Sequence, residues 1–233
     1  MTIVAFPPLD SADEDGLLAV GGDLEIDSLL LAYRSGIFPW PFSERQLAWF
    51  SPPQRGIVRF DDFHVSRSLR KERNDPAWSF SLDTRFDDVI TACATSGHRP
   101  GQSGTWITRR MINGYRAFHR AGFAHSIECY YESELVGGLY GVSIGGFFAG
   151  ESMFFTRSNA SKLGLWYLVE YLRKRGATWL DCQMVTPVLE SMGAILVPRA
   201  EFIELLSDAV AKPTSLFPTL SLRDPESRPR GTR

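Results

Sequence analysis

Glu151 stands in the middle of FFAGESMFF (147–155), among Phe147, Phe148, Met153, Phe154 and Phe155, while Asp181 and Gln183 stand in ATWLDCQMV (177–185). A carboxylate in an apolar strand is costly to bury unless it is paired or hydrogen-bonded. Residues at i and i+2 of a strand project to one face, so Asp181 and Gln183 address the same space. If the two strands are neighbours, all three polar groups meet in one cleft walled by Phe148, Met153 and Leu180. Glu151 then stands either on a solvated edge or as a working group in a pocket. The alternative, that each side chain caps a turn or satisfies a backbone group, stays open at this point.

Other chemistries find less support. The chain has no Walker loop, no GxSxG elbow, no HExxH and no GxGxxG. His64, His98, His119 and His125 are scattered, and His125, at the start of a strand, reads as structural. Cys93, Cys129 and Cys182 are odd in number without CxxC spacing, which suggests neither a disulfide framework nor a zinc site and fits a reducing cytoplasm. No metal or cofactor is expected. The aromatic loop Phe38-Pro39-Trp40 and Trp106 offer flat faces for stacking a base, or for packing between domains. Arg109 and Arg110 follow Trp106 as candidate phosphate contacts.

The elements that must hold these groups can be read from periodicity and punctuation. Residues 1–53 contain a GGD turn, then a helix over about 27–35 with Asp27 as N-cap and Gly36 as the stop, then a proline-punctuated aromatic loop. RGIVRFDDF reads as a short strand and VSRSLRKERN as a basic helix. WSFSLD is a strand, TRFDDVITACATS a helix, and SGTWITRRMINGYRAFHRAG a loop that becomes a helix. HSIECYY, ELVGGLYGVSIG and FFAGESMFF follow as strands, the last two joined by a hairpin at Gly145-Gly146. NASKLGLWYLVEYLRKRG is an amphipathic helix and ATWLDCQMV a strand returning parallel to its predecessor. The tail after about 212 reads as extended or loosely ordered. An antiparallel meander, a crossover helix and a further strand make an α+β fold with a mixed, mainly antiparallel, GNAT-like acyltransferase sheet. The division is a small N-terminal α/β domain (1–53) and a GNAT-like domain (54–233). An acyl-CoA enzyme of that class carries a Q/R-x-x-G-x-G/A loop before the crossover helix for the pyrophosphate; TRSNASKLG lacks it.

The bulk numbers agree with a folded chain: 233 residues, 44% hydrophobic, 22% charged. No apolar run reaches the roughly 20 residues that span a bilayer, so no membrane partner is expected. The formal net charge of −2 is unevenly spread. Residues 1–53 hold two basic and eight acidic groups (2 − 8 = −6), residues 54–120 twelve and seven (12 − 7 = +5), and residues 121–233 eleven and twelve (11 − 12 = −1). The middle third can face phosphates or be an ordinary solvated surface.

The segments FPP, GLLAVGGDL, AYRSGIFPW, WFSPPQRGIV, GTWIT, AHSIE, ELVGGLYGV, FAGESMF, NASK, DCQ and SMGA, in unbroken order over nearly the whole chain, resemble the leucyl/phenylalanyl-tRNA–protein transferases. The resemblance implies transfer of leucine or phenylalanine, and less readily methionine, from aminoacyl-tRNA to the N-terminal Arg or Lys of a protein. The product is a degradation signal under the N-end rule. It implies a cytoplasmic enzyme, with a monomer expected. Carried over by motif, Leu139, Phe148, Met153, Leu168, Leu172 and Leu180 line the aminoacyl pocket. Trp40 and Trp106 hold the terminal adenosine, and Glu151, Asp181 and Gln183 form the catalytic centre. Arg67, Arg70, Lys71, Arg73, Arg109 and Arg110 are candidate contacts to tRNA phosphates.

Three departures accompany the resemblance. Phe50 replaces a second Trp, Val188 stands where many relatives have His, and Leu139, Leu168 and Leu172 stand where some members carry Met or Phe. An aminoacyl ester is already activated, so the expected scheme uses no ATP, metal or covalent intermediate. In it Asp181 holds Gln183, Gln183 orients the attacking amine, and the leaving 3′-oxygen or a water takes the proton. Glu151 attracts a cationic group of either substrate. The rival readings are an acyl-CoA acyltransferase, a tRNA-dependent peptide-bridge ligase and a non-catalytic RNA-binding module.

Overall fold

The computed structural model describes residues 2–95 and 106–217. His98, the first two residues of GTWIT and the tail beyond Phe217 lie outside the described residues. Near the N-terminus, β1 (Leu17–Val20), β2 (Phe38–Pro39) and β3 (Ala48–Phe50) form a small antiparallel sheet in the order β1-β3-β2. Helix α1 (Ile26–Arg34) connects β1 to β2. Its cap position is Glu25 rather than Asp27, which lies in the first turn. Asp23 binds the Glu25 amide and the Ser28 hydroxyl instead. Gly36, with φ +75°, ends the helix in the left-handed region as expected.

The main sheet has seven strands in the order β10-β4-β9-β8-β7-β6-β5. They are β4 (Gln54–Arg59), β5 (Trp78–Leu82), β6 (Ala124–Tyr131), β7 (Glu134–Ile144), β8 (Phe147–Phe155), β9 (Trp179–Gln183) and β10 (Ala194–Pro198). All neighbours are antiparallel except β8 and β9, which are parallel and joined by the crossover helix α5 (Ala160–Arg173). This is the GNAT-like α+β arrangement the periodicity predicts. The remaining helices are α2 (Arg67–Arg73), α3 (Phe86–Thr95), α4 (Arg109–Arg120), α6 (Pro187–Glu190) and α7 (Arg199–Val210). The elements after Gln183, and the insertion of β4 between β9 and β10, go beyond the sequence reading.

The sheet separates two apolar clusters. On one face, α1, α3, α4 and α7 bury Leu29, Tyr33, Val89, Met111, Tyr115, Phe118 and Phe202 against Tyr140, Phe147 and Ala149. On the other, α5 buries Leu163, Leu165, Leu168, Val169 and Leu172 against Ile127, Leu139, Phe148 and Leu180. Each such leucine contributes about 1.5–3 kcal/mol of transfer free energy, which makes α5 the principal cover of that face. The first cluster runs across residue 53, since Leu18, Ile37, Leu47 and Trp49 share it with Ile57 and Tyr140. Residues 1–53 therefore share apolar packing with the main body across that boundary.

Candidate active site

Strands β8 and β9 pair at Ala149↔Asp181, and no further pair extends their ladder. Glu151 lies just beyond that pair on β8. On its other side β8 pairs Ser152 with Tyr140 and Gly150 with Gly141, so Glu151 is the extra residue of a β-bulge. The bulge breaks the alternation of side chains. Glu151 faces Tyr115 and Gln183, whereas Met153, two residues on, packs into the α5 cluster with Phe148 and Leu180.

Glu151, Asp181 and Gln183 do meet. The Gln183 side-chain nitrogen donates to Glu151 Oε1 at 3.0 Å, and the Gln183 backbone N–H donates to Asp181 Oδ1 at 2.9 Å. That second bond accompanies a left-handed backbone at Gln183, φ +54°, unusual for a side chain of this type. Asp181 thus holds Gln183 through the main chain, not through the amide group. The expected cleft walls require a correction. Phe148, Met153 and Leu180 lie with Leu139, Leu168 and Leu172 in the cluster beneath α5, while the polar centre lies on the side of Tyr33 and Tyr115. The β8–β9 pairing stops at Ala149↔Asp181, between the two groups. Five of the six apolar residues are nearly inaccessible, and Met153 alone retains partial exposure.

Three residues of this centre are absent from the sequence reading. Arg55 on β4 forms a fork with Asp181, Nε to Oδ1 at 2.8 Å and Nη2 to Oδ2 at 2.7 Å. Its guanidinium lies between the rings of Phe38 and Phe202, 4.5 and 4.6 Å from their centroids, and also reaches the Gly36 carbonyl. Tyr115 on α4 donates to Glu151 Oε2 at 3.0 Å, and Tyr33 on α1 makes a very short hydroxyl contact to Tyr115. The signal for Arg55 was an arginine directly before the apolar GIV of a strand. Tyr33 and Tyr115 fall on the buried apolar faces of α1 and α4, where periodicity does not register a hydroxyl at the end of a buried ring.

Electrostatics distinguishes the groups. Burial pushes the Glu151 carboxyl up to about 7; the Tyr33 hydrogen bond opposes this, the charge of Asp181 adds to it, and Tyr115 and Arg55 oppose it. The Tyr33 and Tyr115 hydroxyls are held well above the usual phenol range, first by burial and then by the charge of Glu151. Cys182, between Asp181 and Gln183 in sequence, has its thiol pushed up by burial and by Asp181, which disfavours a thiolate. His125 bonds elsewhere, Nδ1 to Asp83 at 2.7 Å and Nε2 to the Gly122 carbonyl at 3.2 Å.

The aromatic and basic candidates lie around this centre in separate groups. Trp40 and Trp106 stack on each other, centroids 4.5 Å apart at 14°. Arg109 and Arg110 are exposed at the start of α4, where the Arg109 amide donates to Glu44 and Arg110 reaches the Gly22 carbonyl. Arg67, Arg70, Lys71 and Arg73 are on α2, whose Leu69 packs into the cluster on the other face. Arg73 pairs with Glu170 at 2.7 Å and covers the Trp166 ring. Of the twelve basic groups in 54–120, Arg55, Arg59, Arg73, Arg85 and Arg116 are engaged with carboxylates. That leaves less free positive surface than the count alone implies.

The antiparallel meander, the crossover helix α5 and the parallel return of β9 make a GNAT-like α+β sheet, with a carboxylate–amide centre where the β8–β9 pairing stops. A family profile described as leucyl/phenylalanyl-tRNA protein transferase matches residues 57–207, and a second, for the N-terminal domain of that transferase, matches residues 22–53. The chain belongs to the leucyl/phenylalanyl-tRNA–protein transferase family and is an aminoacyltransferase. A relative of that name from Pseudoalteromonas atlantica is 50% identical over 210 residues, 89% of each chain. Another, from Syntrophotalea carbinolica, is 47% identical over 215 residues, 92% of this chain and 93% of the other. Among solved structures, FemX aligns with 78% of this chain and 71% of its own at 11% identity and a TM-score of 0.47. Among the described residues, no helix is long and apolar enough to cross a membrane.

Proposed function

We propose that the enzyme transfers leucine or phenylalanine, with methionine a weaker donor, from aminoacyl-tRNA to the N-terminal Arg or Lys of acceptor proteins. The product is an N-end-rule degradation signal. The reaction belongs to the cytoplasm and to a monomer. The observation that carries this reading is the bridge between Gln183 and Glu151 across the end of the β8–β9 ladder, in a chain whose relatives carry the transferase name.

In this scheme the donor's side chain passes through the interrupted ladder towards Met153, with Leu139, Phe148, Leu168, Leu172 and Leu180 behind it. The ester carbonyl then lies at the polar centre. Gln183, fixed through its backbone by Asp181, orients the attacking amine, and Glu151 attracts its positive charge. Positioning two reactants in this way can itself supply several kcal/mol of the barrier. Trp40 and Trp106 receive the terminal adenosine. A base sandwiched between two rings sets them about 7 Å apart, twice a carbon–carbon contact, whereas these rings are 4.5 Å apart by centroid. The base therefore takes the outer face of the pair or separates it.

The test is a transfer assay with labelled Leu-tRNA and peptides differing only in their first residue. Transfer confined to Arg- and Lys-initiated peptides is expected. Transfer independent of the first residue, or binding of tRNA without any transfer, would refute the assignment.

A further inference from the structure

We propose that Tyr115, backed by Tyr33, is a positioning residue that holds Glu151 as the proton carrier of the transfer reaction. This deepens the function proposed above and rests on it.

The geometry fixes the direction of the hydrogen bonds. The single Tyr115 hydroxyl proton is directed to Glu151 Oε2, 3.0 Å away, so in its contact with Tyr33 it accepts. The chain therefore runs Tyr33 to Tyr115 to Glu151, with both rings at most 1% exposed. Glu151 Oε1 receives the Gln183 amide at 3.0 Å. The other ionisable groups around the centre are Asp181 on β9, neutralised by Arg55 on β4, and Tyr140 on β7, whose ring meets Tyr115 edge-on. The bulged carboxylate is thus held at both oxygens, beside the amide assigned to the attacking amine.

The proton balance closes within this centre. The acceptor's neutral α-amine attacks the ester carbonyl and the new C–N bond forms. The nitrogen, now carrying one proton too many, gives it to the Glu151 carboxylate. The C–O bond to the tRNA breaks, and the same proton passes from Glu151 to the departing 3′-oxygen. Glu151 ends ionised as it began, with the peptide bond and a free 3′-hydroxyl as products. A carboxyl titrating near neutrality is matched to both halves of that task.

The experiment is the pH profile of kcat/KM for leucine transfer to an Arg-initiated peptide, in the wild type, Tyr115→Phe, Tyr33→Phe and Glu151→Gln. The acceptor's own α-amine, ordinarily titrating near 8, also produces a fall in rate on acidification. The variants separate the two effects. Losing the Tyr115 hydrogen bond destabilises the carboxylate, so Tyr115→Phe should move the acid limb upward by about one pH unit, roughly a tenfold loss at pH 6. Tyr33→Phe should move it the same way. Glu151→Gln should remove the carboxyl's part of the limb and leave that of the amine. An unmoved limb in Tyr115→Phe with intact melting temperature would overturn the proposal, whatever its effect on rate. If Tyr115→Phe does not fold, the same judgement falls on Tyr33→Phe. A wild type that transfers neither leucine nor phenylalanine would instead refute the functional reading beneath it.

Discussion

Arg55 and Asp181 are joined by two parallel hydrogen bonds of 2.8 and 2.7 Å, and neither side chain is more than 2% exposed. The pair links β4 to β9 and, through Asp181, fixes the main chain of Gln183. The site is thereby anchored in the middle of the sheet, not in a loop.

Removing one partner of a buried pair leaves an uncompensated charge and typically costs about 3–5 kcal/mol. Arg55→Ala and Asp181→Ala should therefore each lower the melting temperature by roughly 10 °C in a chain of this size. Lost activity in Asp181→Ala then reports the fold as much as the chemistry. Arg55→Leu combined with Asp181→Leu should recover much of the stability while transfer stays abolished. A double variant with measurable transfer would show that the pair is structural only.

The donor pocket yields a prediction from exposure. Leu172 is fully buried on the inner face of α5, so Leu172→Ala should cost about 2–5 kcal/mol and say little about selectivity. Met153 is partly exposed and flexible. Met153→Ala should leave the melting temperature nearly unchanged and raise the kcat/KM ratio of phenylalanine to leucine by enlarging the entry. An unchanged ratio would place the pocket elsewhere.

Most of this fold was legible because its signals are local. The Gly145-Gly146 hairpin, the amphipathic α5 and the parallel return at Trp179 each follow from residues a few positions apart. What was not legible depends on long-range pairing. Val197 and Arg55 are 142 positions apart yet share the β10–β4 register, and no local pattern announces that β4 lies between β9 and β10. The site divides in the same way. Asp181 and Gln183 were legible from i, i+2 spacing, and Glu151 from its incongruity among phenylalanines. Arg55 carried no local signal of its partner 126 positions away, and the bulge that places Glu151 and Met153 on opposite faces exists only in the pairing of β7 with β8.

The stacked tryptophans give different results for the two modes of base binding. Stacking of a base on an aromatic ring is worth about 1–3 kcal/mol. If the adenine enters between Trp40 and Trp106, either alanine variant should raise the KM for Leu-tRNA about 5- to 150-fold with a much smaller change in kcat. If it uses an outer face, only one variant should have so large an effect. Unchanged KM in both would remove the adenosine from this pair.

Salt dependence separates the basic groups. A side chain that neutralises one phosphate adds about 0.7–0.9 to the slope of log affinity against log salt. Arg109→Ala and Arg110→Ala, both exposed on α4, should each flatten the slope by that amount. Arg73→Ala should leave it unchanged and lower stability instead, since Arg73 is tied to Glu170 and Trp166. Fluorescence anisotropy with uncharged tRNA at several salt concentrations measures the slopes.

Glu151 couples function to stability through its own titration. Its folded-state value of about 7 exceeds the ordinary 4.5 because burial disfavours the charged form. Between those two values the folded chain holds the proton more tightly than the unfolded chain does. The stabilisation linked to this group is thus complete below about 4.5 and is lost as pH rises through about 7. Glu151→Gln abolishes the titration while keeping an oxygen that can accept from Tyr115. The melting temperature of Glu151→Gln relative to wild type should therefore rise between about pH 5 and pH 8, even as transfer falls. Parallel melting curves across that range would mean that Glu151 is solvated well enough to ionise without cost, and its role as a partly buried, near-neutral proton carrier would fail with them.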